Sequence, residues 1–303
     1  MAPAVGFIGF GEAGSTIALG LRSAGVDRLF AFDIKTSSTD FGPAIARRAH
    51  ESRTALVESP ADLVRSSDIV FSTVTSSSAL DAASAAAPFL ERRHLYADLN
   101  SVSPAVKIEI DRVVSASGAA FVEAAVMAPV LPYGHQVPML LGGAGAAAFA
   151  DAMTPFGLRL QHLEGAKVGS AAAVKMCRSI VVKGIEALLF ECAMGASRFD
   201  ADDLVWASLA ETFPGIKWKE LADYTSGRVV VHGERRAREM EEVADTLRAI
   251  GVDPIMAEAT AKRQDWSAQM GLRSKFGPGG PKTYREVLEA IREIEESSAR
   301  STK

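Results

Sequence analysis

Short apolar runs recur through the first half of the chain: VGFIGF (5–10), RLFAFD (28–33), DIVFSTV (68–74), HLYADL (94–99), AFVEAAV (120–126) and PMLLGG (138–143). Each reads as a strand, and alanine-rich stretches with helical spacing lie between most of them. Alternation of this kind predicts a parallel sheet covered by helices. After LRLQHLEG (158–165) the strand signals stop, and one periodic apolar segment runs from about Val168 to Arg198. The stretches ADDLVWASLAETF, KWKELADYTSG, ERRAREMEEVADTLRAIG and PIMAEATAKRQDWSAQM that follow all carry helical spacing, with Pro or Gly at their ends. The pattern predicts an α/β protein: a parallel-sheet domain over 1–165 and an all-α domain over 166–303, joined by a long, mostly buried helix over 166–198. KFGPGGPKTY (275–284) reads as a loop, and the charged stretch after it as a final helix fraying into a tail that either packs on a partner's domain or stays mobile.

A length of 303 residues suits two domains with separate cores. The formal net charge of −4 lacks the basic excess that nucleic-acid binding needs. The start, MAPAVGFIGFGEAG, shows neither a signal peptide nor a membrane span, so the expected location is cytoplasmic. Cys177 and Cys192 both fall in the apolar helical stretch and are expected as buried free thiols rather than a disulfide. No Cys/His cluster has metal-ligand spacing, and no serine-centred nucleophile elbow is present.

The first chemistry lies in GFGEAG, residues 9–14 (Gly9, Phe10, Gly11, Glu12, Ala13, Gly14), placed directly after a strand and opening a helix. Gly9 permits the tight turn, Gly11 lets a pyrophosphate approach the backbone, and Gly14 allows close helix-on-strand packing. The helix N-terminus adds N–H groups and positive dipole. This is a Rossmann-type dinucleotide fingerprint. Asp33 ends the second strand, 19 residues after Gly14, where a carboxylate accepts from the adenosine ribose and repels a 2′-phosphate. The cofactor is expected to be NAD, with NADP the alternative because Lys35 follows two residues on.

With these residues in view the chain resembles the β-hydroxyacid dehydrogenases, the group of 3-hydroxyisobutyrate, tartronate semialdehyde and 6-phosphogluconate enzymes. VGFIGFGEAG, ADLNSVSP (97–104), FVEAAVMAP (121–129) and KVGSAAAVKMCRS (167–179) carry the resemblance in order, and GERRAREMEEVADTLRAIG adds the look of a branch with a distinct helical C-terminal domain. The resemblance implies that Lys175 is the general acid/base, that Ser101, Val74 and Thr75 lie at the cofactor, with Ser101 also facing substrate, and that Arg238 stands where a cofactor-reaching lysine occurs. It further implies a homodimer built through the helical domain, with the active site between the domains.

The residues around Lys175 support that role on their own terms. Ala171, Ala172 and Ser179 flank it on one helical face and leave room for a ligand. Burial there would bring a lysine toward neutral pH, where it both donates and accepts. On spacing alone the alternative is a core-helix lysine whose ammonium reaches water. Two departures from the family bear on substrate. Ser179 stands in place of an asparagine, and Met127, Ala128 and Pro129 stand where Ser-Gly-Gly amides commonly hold a carboxylate; Pro129 has no N–H. These departures point to a bulkier or less acidic substrate. His232, in an expected glycine-flanked turn, is a further candidate for facing substrate, with a structural turn histidine as the alternative. The expected activity is NAD(P)-dependent hydride transfer at a CH–OH carbon. Imine reduction and a non-catalytic dinucleotide sensor are the alternatives.

Overall fold

The computed structural model describes residues 2–277 and 279–301, for 299–301 the backbone alone. It divides into two compact units, 1–175 and 176–303.

The first unit opens β1 (Val5–Ile8), α1 (Glu12–Ser23), β2 (Leu29–Phe32), α2 (Gly42–Ser52), β3 (Ala55–Leu56), α3 (Pro60–Ser66) and β4 (Ile69–Ser72). It continues α4 (Ala79–Ala86), β5 (Leu95–Asp98), α5 (Pro104–Ser115), β6 (Ala120–Val126), α6 (Val130–Tyr133), β7 (Met139–Gly142), α7 (Ala146–Met153) and β8 (Leu160–His162). The strands form one sheet in the order β3-β2-β1-β4-β5-β6-β7-β8. This is the α/β fold that the alternation predicts, with two differences. The two-residue edge strand β3 is too short to leave a sequence signal. And β7 pairs antiparallel with β6, because the connection between them holds only one turn of α-helix and one of 3-10 helix, too little for a parallel crossover.

Both faces of the sheet are covered, which is why β1 and β4 are buried at every position and, Ser72 apart, apolar. Phe7, Phe71 and Phe149 stack in the core on one face, with Ile17 and Leu21 of α1. Tyr96, Phe121, Ile110 and Leu63 fill the other. Proline after a serine N-cap starts α3 and α5: Ser59 accepts from the N–H of Asp62 and Ser103 from that of Val106.

The boundary between the units falls inside α8 (Ser170–Ser197). The second unit is helical: the rest of α8, then α9 (Asp202–Thr212), α10 (Trp218–Ala249), α11 (Ile255–Gln269) and α12 (Tyr284–Ser301). Phe190, Trp206, Val229, Tyr284 and Ile291 form its larger core, so α12 packs on its own unit. Buried Glu186 of α8 accepts from Arg228 and Arg236 of α10, and Lys183 pairs with Glu239 at 2.8 Å. Burial holds the Lys183 ammonium below the ordinary lysine value, against the opposing pull of Glu239.

Three expectations are corrected here. The stretches containing His232 form no turn: α10 runs through Gly227 and Gly233 as one helix of 32 residues. Gly233 is there for packing, since a Cβ would lie 2.7 Å from the Gln264 carbonyl of α11. Nor is α8 mostly buried. One stripe of it, including Val181 (61% exposed), Ile185 and Leu188 (59%), faces away from α10 and its own unit's core. Cys177 lies on that stripe and is exposed, and Cys192 is half-buried; both are free thiols.

Two alanine substitutions separate these roles of glycine. Gly233→Ala is expected to cost about 1–3 kcal/mol by prising α10 from α11. Gly195→Ala, at a helical site where a Cβ meets nothing within 4 Å, is expected to stabilise by about 0.5–1 kcal/mol. Urea unfolding of both variants measures the difference; equal effects would contradict the packing argument.

Candidate active site

The carboxyl ends of β2, β1, β4 and β5 lie side by side at one end of the sheet, through the pairs Ile8–Phe32, Ile8–Ser72 and Ser72–Asp98, and β6 runs three residues past its Asp98–Glu123 pair. The strand order reverses between β1 and β4, the place where open α/β sheets bind ligands. Asp33, the glycine loop, Val74 with Thr75, Ser101 and Met127 to Pro129 all follow these strand ends.

In the glycine loop each position does a separate job. Gly9 has φ +82°, and a Cβ on it would lie 2.7 Å from Val74 Cγ1 and 2.8 Å from the Thr73 carbonyl. Gly14 packs so closely that a Cβ would lie 2.6 Å from Thr73 Oγ1, which itself donates to the Gly9 carbonyl. Gly11, the N-cap of α1, has nothing within 4 Å of a Cβ. The loop is thus shut against protein at Gly9 and Gly14 and open at Gly11, above a helix N-terminus. That fits a dinucleotide pyrophosphate. Phe10 contributes through its backbone: its ring is fully buried, and its N–H donates to Asp33 Oδ2 at 2.8 Å. Glu12 is exposed in the first turn of α1, and Ala13 is half-buried. Asp33 Oδ1 accepts from the N–H of Lys35 at 2.9 Å, so the carboxylate braces the loop while keeping lone pairs for a ribose. Lys35 Nζ sits 4.3 Å from the centre of the Phe41 ring. Thr75 is exposed, with its hydroxyl bonded to Ser77 and Ser78.

Ser101 is fixed from beneath. Lys107 of α5, 1% exposed, donates to the Asp98 carboxylate at 2.6 Å and to the Asp98 carbonyl at 2.8 Å. Asn100 donates to Asp98 and to Ser72. These bonds tie the start of the 99–103 loop to β5, and Ser101 Oγ accepts from Lys175 Nζ at 2.5 Å. Tyr96, on the same face of β5 as Asp98, has its hydroxyl pKa pushed up, first by burial and then by the Asp98 charge.

Lys175 lies on the second turn of α8. The helix is held from below by Glu123, a fully buried carboxylate in the middle of β6 that accepts from the N–H groups of Gly169 (2.8 Å) and Ala172 (2.7 Å). Sequence reading passed over Glu123, Asp98 and Lys107. For Glu123 and Asp98 the available signal was a lone acid inside the otherwise apolar FVEAAV and YADL runs; Lys107, in the mixed VKIEID stretch, offered none.

The 127–129 loop offers few free backbone donors. Met127 spends its N–H on the Pro138 carbonyl at 2.9 Å, and Pro129 has none. The short helical segment after it packs on α1, where His135 leaves no room for a side chain at Gly20.

The N-terminal region matches the NAD binding domain of 6-phosphogluconate dehydrogenase over residues 4–151. Residues 196–267 match a domain of unknown function, DUF1932. A conserved hypothetical protein from Sinorhizobium meliloti is 33% identical, with 97% of each chain covered and a TM-score of 0.79. The conserved protein MTH1747, of unknown function and described as structurally similar to 3-hydroxyacid dehydrogenases, is 30% identical over 89% of this chain and 98% of its own, with a TM-score of 0.73. The chain belongs to the β-hydroxyacid dehydrogenase family. Within that family it falls in a branch with a distinct helical C-terminal domain, and its first unit is an NAD-binding domain. An uncharacterised 28.5 kDa protein from Methanothermus fervidus is 29% identical over 84% of this chain and 95% of its own. The Mycobacterium tuberculosis 3-hydroxyisobutyrate dehydrogenase shares the fold, with a TM-score of 0.72 at 17% identity over 96% of this chain and all of its own.

In this β-hydroxyacid dehydrogenase family member the remaining sequence-chosen residues lie on the second unit. Ser179 follows Lys175 by one turn of α8 and is half-buried. His232 is on the exposed side of α10. Partial desolvation and then the charges of Arg235, Arg228, Arg236 and Arg273 hold its imidazole below the usual value. Arg238 is exposed and holds Glu241 one turn on, at 2.9 and 3.0 Å. Among the described residues no group of acidic, histidine and cysteine side chains is arranged to hold a metal ion, and no helix is long and apolar enough to cross a membrane.

The open site at Gly11 sets a test. Gly11→Ala is expected to leave the unfolding midpoint unchanged and to weaken NAD binding at least about tenfold, whereas Gly9→Ala is expected to lower stability itself. Calorimetric titration and thermal unfolding read the two effects, and unchanged NAD affinity in Gly11→Ala would refute the assigned pyrophosphate seat.

Proposed function

We propose that the protein is an NAD-dependent oxidoreductase acting on the CH–OH carbon of a 3-hydroxy-acid-like or bulkier alcohol, with Lys175 as general acid/base. The observation that supports this most is the Lys175 Nζ to Ser101 Oγ hydrogen bond of 2.5 Å, beside the carboxyl ends of the strands that carry the NAD fingerprint. Bound NAD supplies the hydride acceptor, or as NADH the donor. In the oxidation direction the neutral amine of Lys175 takes the substrate hydroxyl proton; in reduction the ammonium returns it. Ser101 accepts from Lys175 and keeps its own O–H to donate to the substrate oxygen. Gly9 to Gly14 hold the pyrophosphate, Asp33 the ribose, and Val74 and Thr75 the nicotinamide side.

Preference for NAD over NADP follows from the Asp33 carboxylate, with Lys35 drawn onto Phe41. Because Met127 and Pro129 offer no N–H, the family manner of holding a carboxylate is lost, which favours a bulkier or less acidic substrate. We assign Ser179 and His232 to substrate and Arg238 to cofactor. The exposed stripe at Val181, Ile185 and Leu188 supports a homodimer through the helical unit, and the free thiols a reducing, cytoplasmic setting. The same altered loop favours a second reading, a sensor that binds NAD without turnover. Imine reduction ranks lower, because imine reductases resembling this family generally lack the lysine.

Turnover of 3-hydroxy acids, aryl-substituted carbinols and hydroxyamino acids with NAD or NADP, followed by nicotinamide absorbance, decides between them. Lys175→Met is expected to reduce turnover by roughly 10²–10⁴-fold with NAD binding intact. Turnover that survives the substitution would sink the lysine mechanism; silence across the panel with NAD bound would favour the sensor.

A further inference from the structure

We infer that Glu123 is a positioning residue for the reaction: its carboxylate holds the first turn of α8 and so sets Lys175 against Ser101, an inference that rests on reading Lys175 as the acid/base. Glu123 is 0% exposed in an apolar strand and has no ion-pair partner among the described residues. A carboxylate in such surroundings is costly unless hydrogen-bonded. Both of its oxygens are used: Oε2 accepts from the Gly169 N–H and Oε1 from the Ala172 N–H. These are N–H groups at the N-terminus of α8, where the helix dipole also favours negative charge.

Two glycines make the seat. Gly142 pairs with Glu123 across β7 and β6, and a Cβ there would lie 2.9 Å from Oε2. Gly169 has φ +95°, and a Cβ there would meet Pro104 at 3.1 Å. The glycine of the Gly169-to-Lys175 motif is therefore the residue that presents its N–H to Glu123. Lys175 follows Ala172 by three residues, about 4.5 Å along a helix axis. With the first turn pinned to the sheet, the height of the ammonium above the strand ends is set. Misplacement of an acid/base group by an ångström can cost about a hundredfold in rate.

The test uses Glu123→Gln and Gly142→Ala in the full chain. The first puts an N–H₂ where an acceptor is needed; the second keeps the carboxylate and displaces it. Three readouts apply: amide exchange of residues 169–176, the pH dependence of Lys175 acylation by mass spectrometry, and kcat alongside NAD affinity. Exchange in that segment is expected to quicken about tenfold, the acylation profile to move, and kcat to fall roughly 10- to 100-fold at unchanged NAD affinity. Glu123→Asp should lie between wild type and Glu123→Gln. Wild-type exchange and acylation in both variants would overturn the positioning role. If Glu123→Gln does not fold, Gly142→Ala decides alone. The first two readouts need no substrate, so altered acylation together with a silent substrate panel would count against the dehydrogenase reading while still showing that Glu123 positions Lys175.

Discussion

The Glu123 carboxylate against the first turn of α8 is the contact on which the arrangement of the first unit turns. It joins β6, the last strand of the parallel run, to the helix that carries Lys175, and it does so with two N–H donors and no cation. A salt bridge could have supplied more Coulomb energy, but a flexible cation would leave the helix free to shift. Backbone donors cannot move without moving the helix. The constraint reaches into neighbouring elements as well, since β7 must offer Gly142 opposite, and the chain before α8 must turn through a left-handed Gly169.

A second buried charge works in parallel. Lys107 and Asp98 close a pair with both members at most 1% exposed, and the lysine also takes the Asp98 carbonyl. Such pairs are poor sources of net stability because desolvation offsets the attraction. Their use here is geometric: one end of the 99–103 loop is nailed to β5 and α5, so Ser101 is presented at a set height. Lys175 and Ser101 thus meet because two rigid anchors, Glu123 and Asp98 with Lys107, each fix one partner. The glycine loop obeys the same economy, closed by Thr73 and Val74 on two sides and braced by Asp33 on the third, with its one open position facing out.

The departures of the substrate loop take on meaning against this framework. The dinucleotide seat and the lysine follow the family closely, while the three residues after β6 do not, and the structure spends one of their two N–H groups on Pro138. On the proposed reading, a retained nucleotide fingerprint and lysine beside an altered 127–129 loop are what a shift of substrate on one scaffold would produce.

Much of the fold was legible along the chain. The strand runs, the glycine fingerprint with Asp33, and the long helix are local patterns, set by periodicity and by residues whose backbone needs are special. The reversed β7 was not legible, because strand direction depends on whether a connection can cross the sheet, and apolar runs look alike in either direction. His232 was misplaced in a turn because glycines that break a helix in isolation were tolerated inside α10, where Gly233 lets the Gln264 carbonyl come close. Glu123, Asp98 and Lys107 carried almost no signal, since a lone charge in an apolar run says that it must be satisfied without saying by whom. By itself the sequence determined which groups are present and, for the longer periodic runs, which segments are strand or helix. Only the tertiary structure decided which buried charge meets which backbone N–H, because those contacts join residues as far apart as 123 and 172 and exist only once the sheet has brought them together.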